Sequence, residues 1–104
     1  MDKQTNLKIA KKFAEKLREQ FPDAEIFLFG SRATGENLFE SDFDFIIVSD
    51  FFKDINFYKR MPLIYDIWDE EYDIEPLCYT RAEFEKKKNQ LSIVNEALKD
   101  SITI

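Results

Sequence analysis

Apolar positions in this chain change period several times, and each change marks an element. From Lys3 to about Gln20, Leu7, Ala10, Phe13, Ala14 and Leu17 recur at three- and four-residue spacing between Lys and Glu. That spacing predicts an amphipathic first helix. Pro22-Asp23 ends it, and the short apolar run Ala24 to Phe29, closed by Gly30, has the length and punctuation of a strand. A second strand is predicted from Phe43 to Ser49. Between the two lies a polar stretch, Arg32 to Ser41, with Gly35 and Asn37; it reads as a loop with one helical turn beginning at Ser31.

Helical spacing returns from about Ile55 to Trp68, with Ile55, Tyr58, Met61, Ile64 or Tyr65, and Trp68 on one face. Pro62 either kinks that helix or forces it to begin near Lys59 to Met61, because proline lacks an N–H and clashes with the preceding turn. Tyr72 to Cys78 reads as a third strand, with Pro76 pointing to a sheet edge or to a distortion near the strand's end. Thr80-Arg81-Ala82-Glu83 is a capping box that predicts a helix from Arg81 to about Asn89. Ile93 to Leu98 reads as a further helical piece with Ser92 as its cap, and Ile102 to Ile104 as a short closing strand. The alternation gives a mixed α/β class without internal repeats or a linker.

Composition narrows the picture. With 104 residues the expectation is one domain, residues 1–104, and 44% hydrophobic residues including 11 Phe supply a core. Fifteen Lys and Arg against 21 Asp and Glu leave a net charge of -6, which argues against strong nucleic-acid binding by the domain as a whole. The single cysteine, Cys78, sits in an apolar run and reads as a buried small hydrophobe. No apolar signal core precedes Lys11-Lys12, and no apolar stretch has membrane-spanning length, so a cytoplasmic protein without a membrane partner is expected. Histidine is absent, which excludes Ser-His-Asp and Cys-His nucleophilic catalysis and leaves carboxylate chemistry.

The candidate chemistry lies in GSRATGENLFESDFD. Ten residues separate Gly30-Ser31 from Asp42-Phe43-Asp44. The turn at Gly30 can aim backbone N–H groups and the Ser31 hydroxyl at a phosphate chain. Asp42 and Asp44, two apart on extended backbone, project from one face and can share Mg²⁺, with nucleoside triphosphate oxygens completing its shell. The loop between can lie over the phosphates. Later in the chain Asp73 and Glu75, also two apart, are both candidates for a third carboxylate. Arg32 has two readings, a phosphate ligand or an ion-pair partner of Glu36, Glu40 or Asp42. The run Glu85 to Lys88 reads as a solvated helix face. Asp66, Asp69, Glu70 and Glu71 read as helix-end surface or as a meeting place for a basic partner.

Gly30, Ser31, Asp42 and Asp44, with Arg32, Gly35 and Ser41 around them, resemble the signature of the DNA polymerase beta-like nucleotidyltransferase superfamily, and most closely its minimal stand-alone members. The resemblance implies that superfamily's fold, a small mixed β-sheet with helices packed on it. It implies that Asp42 and Asp44 hold two Mg²⁺ ions with a third carboxylate from Asp73 or Glu75, and that Gly30 and Ser31 bind the β and γ phosphates of ATP. It further implies transfer of AMP to a hydroxyl on another molecule, a protein among the candidates. Small members of this kind act as antitoxins that bind and adenylylate a HEPN-type ribonuclease, so a HEPN-type partner is an expectation. A homo-oligomer is the other source of acceptor surface. The alternative is a catalytically weak nucleotide- or partner-binding module of the same fold.

Overall fold

A computed structural model describes residues 2–90 and 92–104. The first helix, α1 (Lys3–Gln20), is capped by Asp2, whose carboxylate accepts from the Thr5 N–H at 2.8 Å. Strand β1 (Glu25–Phe29) leads into a single helical turn, α2 (Ser31–Thr34), and strand β2 (Phe43–Val48) follows the loop. After a 3₁₀ turn at Asp50–Phe52 come α3 (Phe57–Tyr65), β3 (Ile74–Tyr79), α4 (Arg81–Lys88), α5 (Ile93–Leu98) and β4 (Ile102–Thr103). The predicted mixed α/β class is the one observed.

The four strands lie in the order β3-β2-β1-β4. Neighbours β1 and β2, and β1 and β4, are antiparallel, whereas β2 and β3 are parallel because α3 carries the chain back between them. Strand β3 is an edge, and Pro76 is tolerated there because no ladder is required of it on the open side. Period-two alternation gives each face of the sheet its own core. Ile26, Leu28, Phe43, Phe45, Ile47 and Cys78 point to the face covered by α1 and α3, where Phe13, Leu17, Phe52 and Ile64 meet them. Phe27, Ile46, Val48 and Tyr79 point to the other face, covered by Phe84 of α4 and Val94 of α5. Burial pushes the Cys78 thiol up to about 12, as befits a core residue rather than a nucleophile.

Helix α3 departs from the reading of its sequence. Pro62 lies inside it, and Tyr58, placed on the apolar face by spacing, is 83% exposed, whereas Arg60 and Ile64 are buried. The Arg60 guanidinium explains the rotation: it donates to Ile55 O at 2.9 Å, to Cys78 O at 3.2 Å and to Glu83 Oε1 at 2.6 Å. A charged group satisfied on this many sides can occupy a position that periodicity assigns to an apolar one. Glu83 serves twice, since it also closes the Thr80 capping box.

Candidate active site

Position along β2 decides which side chains of its second face are covered. Ile46 and Val48 lie under α4 and α5, whereas Asp44, on the same face but nearer the start of the strand, lies beyond that cover. Asp44 pairs in register with Phe29, the last residue of β1, and with Glu75 on the parallel strand β3. Equal register in a parallel pair puts equal faces together, so Glu75 stands beside Asp44. Asp42, exposed just ahead of β2, completes the group: one carboxylate oxygen from each of Asp42, Asp44 and Glu75 lies within 4.8 Å of the others.

Burial, then the charges of Glu75 and Asp42, push the Asp44 carboxyl up to about 6. Three convergent carboxylates form a donor set that fits a hard divalent cation, which would relieve the repulsion.

Gly30 follows immediately from β1. Its backbone, at φ 75° and ψ -159°, occupies a region open essentially to glycine alone. Glycine is required for a second reason: a Cβ there would stand 2.5 Å from Oδ2 of Asp44. The turn and the carboxylate are therefore packed directly together. Gly30 caps α2, and its carbonyl accepts from the Ala33 and Thr34 N–H groups at 3.1 and 3.3 Å. Against Gly30 and Ser31 opens a cleft of about 560 Å³, lined also by the apolar Phe29, Ile93 and Ala97 and by the acidic Glu36, Glu96 and Asp100.

The sequence matches the family described as the nucleotidyltransferase domain over residues 10–102. The chain belongs to this family. Among solved structures it is similar to a provisionally assigned nucleotidyltransferase from Sulfolobus solfataricus, with 25% identity and a TM-score of 0.68 over 97% of this chain and 80% of the other. A second provisionally assigned nucleotidyltransferase aligns with 29% identity and a TM-score of 0.54, over 76% of this chain and 86% of its own. No curated protein matches the sequence.

Within this nucleotidyltransferase domain the residues singled out from sequence separate into two sets. Gly30, Ser31, Asp42, Asp44 and Glu75 are brought together. Asp73 is not: β3 begins at Ile74, and Asp73 precedes it, exposed, its carbonyl accepting from the Phe43 N–H at 2.8 Å. Asp73 borders a separate recess of about 360 Å³ with Phe39, Glu40, Ser41, Glu71 and Tyr72.

Arg32 differs most from its sequence reading. Its side chain is fully buried, donating to Ser41 O through Nε (3.1 Å) and Nη2 (2.7 Å), to Phe39 O at 3.0 Å, and to Asn6 Oδ1 at 3.1 Å. The guanidinium is thus committed to the protein's own carbonyls instead of being presented to a phosphate. The loop it grips is anchored at its base, with Leu38 and Phe39 exposed at the tip. Asn6, the helix-side partner, was not singled out from sequence. Its signal was its place on the apolar stripe of α1, one turn before Ala10, where it is fully buried.

Proposed function

We propose that this nucleotidyltransferase domain moves AMP from ATP to a hydroxyl group of another molecule in a divalent-metal-dependent reaction, with a protein as the acceptor. The observation that carries this reading is the convergence of Asp42, Asp44 and Glu75 on the turn at Gly30-Ser31. Three carboxylates within 4.8 Å of one another support the enzyme over a catalytically weak binding module.

In such a transfer the acceptor oxygen forms a bond to the α-phosphorus while the bond from that phosphorus to the bridging oxygen breaks. Pyrophosphate leaves, and the hydroxyl proton passes to solvent. Asp42, Asp44 and Glu75 would hold Mg²⁺, with two ions expected; bound there, the metal supplies charge neutralisation for the attacking and leaving oxygens. The Ser31 hydroxyl and the backbone of the turn at Gly30-Ser31 bind the phosphates that depart. Close packing of Gly30 on Asp44 keeps the phosphate anchor and the carboxylates in one fixed relation, so alignment need not be established at each turnover. Asp44 releases its proton before it can serve as a ligand, and its raised value makes metal loading weaker below about pH 6.

The acceptor surface is assigned to a second molecule, and a HEPN-type protein, in an antitoxin relationship, is the partner proposed. Among the described residues no helix is long and apolar enough to cross a membrane. The test is incubation with ATP, Mg²⁺ and a candidate HEPN-type protein, read by intact mass. An increment of one AMP on the partner, lost in the Asp42→Asn, Asp44→Asn double variant, is the expected result. Neutralisation of the partner by the double variant as well as by the parent would overturn the enzymatic reading.

A further inference from the structure

Asp44 and Asp42 are held in different ways. Asp44 lies within β2 and is fixed by ladders on both sides, to β1 and to β3. Asp42 precedes the strand, so its direction depends on what holds its neighbours, Ser41 and Phe43. Arg32 holds both. Nε and Nη2 converge on the Ser41 carbonyl, Nη2 also reaches the Phe39 carbonyl, and the guanidinium carbon lies 4.5 Å from the Phe43 ring centre and 4.9 Å from that of Tyr72. The other end of the fork is braced on α1 by Asn6, which also donates to the Arg32 carbonyl at 3.1 Å.

We propose that Arg32 is a positioning residue for the Asp42 carboxylate: its guanidinium, clamped between Asn6 and the backbone flanking Asp42, fixes that ligand relative to the turn at Ser31. The inference rests on the metal-site reading of Asp42, Asp44 and Glu75. Arg32 is the immediate neighbour of Ser31, so one side chain ties the phosphate turn to the approach of β2. Only a planar fork can serve two carbonyls and a side-chain oxygen while lying against two aromatic rings; a lysine ammonium keeps the charge but loses that shape. The arrangement also explains why a full charge is buried here: its hydrogen bonds go to groups that need fixed positions.

The test is a double-mutant cycle on Mn²⁺ affinity, read by the free-ion electron paramagnetic resonance signal, with amide exchange of the metal-free protein beside it. Arg32→Lys is expected to weaken Mn²⁺ binding about tenfold, the range for partners that orient a ligand. In an Asp42→Ala background the same change is expected to have no further effect, because Arg32 acts through Asp42. In the metal-free protein the Ser41 and Phe43 amides should exchange about tenfold faster while those of β1 remain protected. Losses that add in the cycle, or unchanged exchange at Ser41 and Phe43, overturn the proposal. If Arg32→Lys does not fold, Asn6→Ala carries the same cycle, with a loss of about threefold that must likewise vanish without Asp42. A parent protein that binds no Mn²⁺ would sink the metal reading itself, and amide exchange would still decide whether Arg32 orders the approach to Asp42.

Discussion

The two ends of β2 each carry a group of acidic residues, and the protein treats them in opposite ways. At the far end, Asp23 accepts from the Ser49 hydroxyl at 2.5 Å and the Asp50 N–H at 2.8 Å; Asp50 accepts from the Arg81 N–H, and Glu25 pairs with the Arg81 guanidinium. Partial burial pushes the Asp23 carboxyl up, but these donors outweigh it and hold it below the usual carboxylate range. At the near end Asp44 faces Asp42 and Glu75, and its carboxyl is raised. Where negative charge serves the fold, the chain surrounds it with donors. At the start of β2 the chain places like charges together, a donor set that fits a cation supplied from outside.

That contrast can be broken by mutation. Asp42→Asn with Asp44→Asn is expected to lower transfer by about a thousandfold or more while the thermal transition stays cooperative. Asp23→Asn, at the other end, should leave the rate within about twofold and lower the transition temperature instead. Initial rates and thermal melts of the two variants decide whether the ends are as different as proposed. Between the two candidates for the third carboxylate, Glu75→Gln should reduce the rate by about a hundredfold and Asp73→Asn by less than about threefold. Equal losses would place Asp73 in the site as well.

Gly30→Ala sharpens the near end alone. Its backbone is restricted to glycine and its Cβ would meet Asp44, so the variant is expected to lose about 1–3 kcal/mol of stability. It should also bind Mn²⁺ about tenfold more weakly, because Asp44 must move. Denaturant melts and metal titration measure the two effects separately.

The smallest effect concerns pH. A carboxyl whose folded value lies above its unfolded one favours folding while protonated, and that contribution is lost as pH rises through about 6. Metal-free Asp44→Asn should therefore be more stable than the parent at pH 7, by about 1–2 kcal/mol after screening by solvent, and the difference should vanish below about pH 4. Asp23, with its value lowered, has the opposite sign: its contribution is present above its unfolded value and is lost as pH falls through the folded one. Melts of both variants across pH 3 to 8 would show curves diverging in opposite directions.

Local rules made much of this molecule readable. The stripe from Leu7 to Leu17, the Thr80–Glu83 capping box, the Ser92 cap and the edge position of Pro76 each depend on residues close in sequence, and each was legible. The spacing of Gly30-Ser31 and Asp42-Asp44 was legible for the same reason, since one hairpin connection carries both halves. Glu75 could not be chosen over Asp73 from sequence because both share a period-two pattern; the parallel register of β2 with β3 distinguishes them, and register is a long-range property. The burial of Arg32 and of Arg60 was not legible on similar grounds. Each is buried by acceptors from separate parts of the chain, which no window around the residue contains.

The acidic group at the start of β2 is proposed to be a metal site serving a nucleotide. Calorimetric titration of ATP into the protein, with and without Mg²⁺, tests it most directly, with Asp44→Asn as the comparison. Binding that requires Mg²⁺ in the parent and disappears in the variant is the predicted result. Equal binding with and without the metal, unaffected by Asp44→Asn, would contradict it.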